Sequence, residues 1–282
     1  MRQHRIAGHG GVGLEVFDLG PETARPLIMI HGWSQHHLSW QRQFPLAERF
    51  RLILPDLRGH GASDKPDDAA AYDCSAPWAG DVAAIISSLN LDQPLLVGWS
   101  MGGWVVNDYI RVNGDADIAG FCLIGSSVTT GRHSPPDVFE KRQSDPDVKS
   151  SGMYSDDQHE NLAATIRFVS ACFAAPLPAE DLALMVGFNM LCPPHVRKAA
   201  RLRHEDYRAD MAGVTRQALV LWGGKERLAP DPMGDEAVAT IPGAQKLRYA
   251  ACGHAPFWED AARFNADLGD FASHCFSRQE AA

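Results

Sequence analysis

The sequence predicts a doubly wound α/β fold: a mostly parallel sheet with helices on both faces, interrupted once by a helical insertion. Three observations carry that prediction. Short apolar runs alternate along the chain with segments of helical character. Most of those runs are continuous, as strands buried on both faces require. The alternation then stops between about residues 127 and 213, where the sequence gives no strand.

The first run, LEVFDL at 14–19, is preceded by GHGGVG at 8–13. That stretch spells G-x-G-x-x-G, but it comes before a strand instead of joining a strand to a helix, so it reads as a hairpin connection and not as a dinucleotide site. PLIMI (26–30) and FRLILP (50–55) are the next strands, followed by a helix near 78–90, the strand PLLVGW (94–99), a helix at 101–112 and the strand IAGFCLIG (118–125). In the insertion, 161–174 and 179–191 read as helices separated by Pro176 and Pro178, and a third helical piece follows Pro193 and Pro194. The rhythm resumes with QALVLWG (217–223), a helix near 231–241, KLRYA (246–250) and a helix at 259–275. The expected organisation is a core of residues 1–126 and 214–282, with 127–213 as a helical cap over the carboxyl ends of the strands, where ligands bind in such sheets. Phe168, Phe173, Met185 and Phe188 recur at helical spacing within the cap. Most are expected to pack, and some to line the cavity beneath.

With 282 residues and 45% hydrophobic content, the chain can bury a sizeable core. A net charge of −9 and the lack of any Lys/Arg run argue against nucleic acid and against a polybasic membrane contact. No stretch approaches 18 consecutive apolar residues, and MRQHRIAGHGG lacks the apolar segment of a signal peptide, so a cytoplasmic protein is the expectation. Six scattered cysteines without a CxxC pair read as reduced thiols.

The chemistry is concentrated in VGWSMGG at 97–103. A serine between a strand and a helix, flanked by glycines two residues to either side, has the context of the G-x-S-x-G nucleophile elbow. Gly98 and Gly102 leave room for a tight turn that displays the Ser100 hydroxyl. Serine needs a base held by an acid, in the chain order Ser, Asp/Glu, His. His254 in CGHAPFW follows the last strand and is the expected base; Glu226 in LWGGKERLAP follows the penultimate one and is the expected acid. Asp231 lies farther along and is expected to cap a helix. The backbone N–H groups of Met101, at the start of its helix, and of Trp33, in HGWS at 31–34, are the expected oxyanion donors. His31, His36 and His37 cluster without the HExxH spacing of a zinc site, so neither metal nor cofactor is expected.

These motifs, together with LPDLRGHGASDKP at 54–66 and GHAPF at 253–257, resemble the α/β-hydrolase superfamily over roughly residues 12–275. The resemblance implies an eight-stranded sheet and a serine hydrolase acting through an acyl-enzyme on a small-molecule ester or lactone. GWS-x-GG with GHAPF is similar to the methyl esterase of biotin synthesis and to acyl-homoserine lactonases, and LRGHGASDKP to esterases with cofactor-free haloperoxidase activity. Glu226 departs from the Asp that most members carry. Two rivals share the fold: cofactor-free dioxygenases, whose acid usually follows the sixth strand, where this chain reads GSSVTT, and hormone receptors, some with a degraded triad. Members with Asp at the elbow, the haloalkane dehalogenases and epoxide hydrolases, are excluded by Ser100.

Overall fold

The computed structural model describes residues 1–136 and 144–280. Eight strands form one sheet in the order β1-β2-β4-β3-β5-β6-β7-β8: β1 (Arg2–Ala7), β2 (Gly13–Leu19), β3 (Pro26–Ile30), β4 (Arg51–Asp56), β5 (Leu95–Trp99), β6 (Gly120–Ile124), β7 (Gln217–Gly223) and β8 (Gln245–Tyr249). From β4 to β8 neighbouring strands are parallel, whereas β2 is antiparallel to both β1 and β4. The central strands β3, β4, β5 and β6 are buried at every residue, which is why they read as unbroken apolar runs. Strand β1 escaped that reading because an edge strand needs one covered face only. Its sequence RQHRIA is largely polar and its sole buried residue is Ile6. GHGGVG is indeed the hairpin connection, with Gly10 and Gly11 at positive φ.

Helices α1 (Ser75–Ser88), α2 (Met101–Asn113), α7 (Asp231–Thr240) and α8 (Ala261–Glu280) lie where the sequence predicts helix, displaced by a few residues. Between β6 and β7 the chain forms α3 (Gln158–Ala171), α4 (Ala179–Asn189), α5 (Pro194–Arg201) and α6 (Arg208–Ala212). Among these four helices only α6 lies outside the sequence expectation; at five residues it is too short to show a period. A 3-10 segment over His37–Glu48 also went unread, since Pro45 within it breaks any helical pattern. The excursion leaves and returns at one place. Thr129 and Asp206 pair as an antiparallel bridge, flanked by Tyr207 N–H donating to Val128 O (2.9 Å) and Thr130 N–H donating to Glu205 O (2.8 Å).

Inside the excursion a buried arginine joins the short helices alongside their buried apolar residues, among them Phe168, Met185, Phe188 and Val196. Arg197 of α5 donates to Asn161 Oδ1 on α3 (2.7 Å), to Asn189 O on α4 (2.5 Å) and to Met153 O (3.1 Å). Burial holds its pKa below the usual arginine value, and neutral acceptors surround it. Trp33 Nε1–H donates to Arg197 O (2.9 Å), which ties α5 to the loop after β3. All six cysteines are free thiols, five of them buried. Among the described residues no helix is long and apolar enough to cross a membrane.

Candidate active site

Parallel register aligns the carboxyl ends of five strands. Ile30 pairs with Gly98, Trp99 with Ile124, Ile124 with Leu221, and Gly223 with Tyr249. Trp33, Ser100, Gly125, Glu226 and His254 each follow within a few positions, so residues far apart in sequence converge above one edge.

Ser100 occupies a strained turn, φ 54° and ψ −116°, between β5 and α2. A Cβ on Gly98 would lie 2.4 Å from Gly102 O, and one on Gly102 would lie 2.2 Å from Ile30 O. Backbone meets backbone on both sides, so neither position admits a side chain. The Trp33 and Met101 N–H groups donate no hydrogen bond among the described residues, which leaves both free for a ligand oxygen. Ser34, the residue after Trp33, has φ 61°. Its N–H donates to His60 Nε2 (3.1 Å), while His60 Nδ1–H donates to Arg58 O (2.9 Å). His31 repeats the arrangement: Nε2 accepts Leu57 N–H (3.1 Å) and Nδ1–H donates to Gly32 O (2.8 Å). Each ring must therefore be neutral, and burial lowers the pKa of both, that of His60 to about 4.

His254 Nδ1–H donates to Glu226 Oε2 (2.6 Å), with both side chains 2% exposed. The other carboxylate oxygen, Oε1, accepts Leu228 N–H (2.7 Å) and Ala229 N–H (3.1 Å). The longer Glu side chain is thus fixed at both oxygens, and the tautomer it imposes leaves the His254 Nε2 lone pair available. Ser100 and His254 line one cavity without a hydrogen bond between them, a separation common before substrate binds. That cavity measures about 20 Å³ as it stands and is also bordered by Trp33, Trp104, Phe168 and Arg201.

Several supporting residues carried no sequence signal. Trp99 Nε1–H donates to His254 O (2.8 Å), and His254 N–H donates to Cys172 O in the excursion (2.8 Å). Glu259 accepts Gly253 N–H and Ala174 N–H, both at 2.7 Å, and burial pushes its pKa up. Gly125 is another: at φ 52°, a Cβ there would lie 2.8 Å from His254 Nδ1. Only this glycine in GSSVTT could have been suspected, as the residue beside the elbow in the next strand.

Asp231 is the first residue of α7 and not its side-chain cap; it pairs with Lys246 (3.3 Å) and Arg248 (2.7 Å), away from His254. Pro230 holds the cap position with no side chain able to accept a helix N–H, and the Asp231 carboxylate faces the cations of β8. Of the aromatic residues in the excursion, Phe168 lines the cavity and packs edge-on against Trp33, whereas Phe188 stacks on His36. His36 and His37 meet Asp56, with their ligand-type atoms within 4.8 Å of one another. Sequence spacing hid that group because Asp56 ends a different strand. Both Asp56 oxygens are already engaged, Oδ1 by the His37 N–H and Nδ1 and Oδ2 by Ala62 N–H, so the cluster serves as a hydrogen-bonded anchor for the loop.

The chain matches the α/β hydrolase fold family over residues 25–261. It is 30% identical to the AB hydrolase superfamily protein YisY of Bacillus subtilis (strain 168), a match covering 96% of this chain and 99% of the relative. The esterase RhEst1 of Rhodococcus sp. ECU1013 superposes with a TM-score of 0.87 at 31% identity, covering 97% of this chain and 99% of that one. The bifunctional esterase/perhydrolase DCH of Acinetobacter calcoaceticus is 24% identical, over 91% of this chain and 95% of the relative. Sheet order, elbow and family match agree, and the chain belongs to the α/β hydrolase fold family.

Proposed function

We propose that the protein is a serine hydrolase that cleaves a small carboxylic ester or lactone through an acyl-enzyme. The observation that carries this reading is the His254–Glu226 hydrogen bond of 2.6 Å beside a serine held at φ 54°. His254 Nε2 takes the Ser100 proton as Oγ attacks the substrate carbonyl, and Glu226 stabilises the imidazolium that forms. The Trp33 and Met101 N–H groups hold the oxyanion. His254 then protonates the departing alcohol, and the C–O bond to it breaks. Water, deprotonated by the same ring, next attacks the acyl-enzyme and releases the acid with Ser100 restored. The excursion of 127–213 acts as a cap that bounds the acyl site. The esterase named among the similar structures supports the same reaction class.

The test is hydrolysis of p-nitrophenyl esters from acetate to octanoate, and of one acyl-homoserine lactone, by wild type and Ser100→Ala in parallel. The expected result is turnover that falls by roughly 10³-fold or more in the folded variant, with short acyl chains preferred because the cavity is narrow. Turnover retained in a folded Ser100→Ala protein overturns the reading. A fluorophosphonate adduct on Ser100 separates an activated nucleophile from a receptor that only binds.

A further inference from the structure

Arg201, at the end of α5, lines the cavity that holds Ser100 and His254. Its guanidinium lies 5.5 Å from the centre of the Trp33 ring, and among the described residues it has neither a hydrogen bond nor a carboxylate partner. The neighbouring arginines are committed. Arg197 is held by the acceptors of α3 and α4, and Arg203 by Asp108 (2.6 Å) and the Tyr207 hydroxyl (2.9 Å). Arg111, elsewhere on the same side, pairs with Glu205 and Asp210. In a protein of net charge −9, a half-buried cation that borders the cavity and meets no acid among the described residues is a placement for a ligand, since arginine in such a position usually finds a carboxylate.

The rest of the wall agrees. Apart from His254, the lining residues bring no other charged side chain. Gln35 lines the same space, and its Nε2 amide donates to no acceptor among the described residues, while its Oε1 lies 3.5 Å from both Ser39 and Asn189. Two unused donor groups stand beyond the pair assigned to the oxyanion. The planar guanidinium fork matches a carboxylate at two hydrogen bonds, and its position over the Trp33 ring uses none of its N–H groups.

We infer that Arg201 selects esters that carry a second, ionised carboxylate, which it binds while Ser100 attacks the ester carbonyl. This rests on the serine esterase reading above. Arg201 takes part in no bond change; the carboxylate remains intact and its charge is the same in substrate and product. The charge can sit on the acyl part or on the departing alcohol, and the two are separable by experiment.

The test compares kcat/KM at pH 7 for matched charged and neutral esters of the same shape. Monoethyl glutarate against ethyl glutaramate places the charge on the acyl part; O-butyrylglycolate against O-butyrylglycolamide places it on the alcohol. Wild type is expected to favour the charged member of one pair by about tenfold or more, the scale that charge-assisted hydrogen bonds to one carboxylate carry. In Arg201→Gln the ratio should collapse to near one, in Arg201→Lys part of it should remain, and in Arg201→Glu it should invert. A ratio near one in wild type on both pairs, or a ratio that survives Arg201→Gln, overturns the inference. If Arg201 merely props the Trp33 ring, both members of a pair slow together and the ratio stays fixed, which also overturns it. Ester hydrolysis that is independent of Ser100 is a different failure, that of the parent reading, and the parallel Ser100→Ala control identifies it.

Discussion

Glu226 serves imidazole and backbone together, with Oε2 on His254 and Oε1 on the N–H groups of Leu228 and Ala229. Glu226→Gln should therefore lower kcat by roughly 10³- to 10⁴-fold, because the amide no longer enforces the working tautomer, with the thermal midpoint little changed. Asp231→Ala should leave kcat within about twofold of wild type, since Asp231 answers only to the surface cations Lys246 and Arg248. Steady-state kinetics with circular dichroism melts check both. That Ser100, His254 and Glu226 meet above the strand ends was legible in their chain order and strand contexts. Trp99, Glu259 and Gly125 were not, for they act through a ring N–H, a carboxylate bonded to backbone and a missing Cβ, none of which leaves a pattern along the chain.

At the scale of elements, burial decides what can be read. The central strands announce themselves because both faces are covered, while β1 hides behind its polar edge and α6 behind its shortness. The helices of the excursion were legible from prolines and apolar spacing, but the interaction that joins them was not, since a buried arginine contradicts the usual partition. Arg197 bonds α3 to α4 beside the apolar residues that pack there. Arg197→Met should cost about 2–4 kcal/mol, because the Asn161 and Asn189 acceptors lose their donors in a dry site. Urea unfolding measures this. The substitution should also raise KM for esters, because α5, whose main-chain carbonyl at position 197 accepts Trp33 Nε1–H, is then held less firmly.

Across the whole molecule, the two strand-end loops that meet at His31 and His60 make stability depend on acid. The folded-state pKa of His60 lies at about 4 against an ordinary 6.5, so between those values the unfolded chain binds a proton that the folded one refuses. Stability must then fall as pH drops through that window, by up to roughly 3 kcal/mol from this group. Glu259, whose pKa burial raises, acts in the opposite sense, so the useful measurement is the difference between wild type and His60→Gln. Wild type should lose more stability between pH 6.5 and 4.5 than the variant does; equal losses would remove His60 from the account. The bridge between Thr129 and Asp206 has a separate consequence. Because the polypeptide departs and returns through adjacent hydrogen-bonded residues, the closure point is set at that neck, while the stretch beyond it stays tied to the core at Trp33, His254 and Glu259. Arg201 lies beyond the neck, whereas Ser100, Glu226 and His254 lie outside it, so on the reading proposed above the residue assigned to selection and those assigned to bond cleavage stand on opposite sides of the closure.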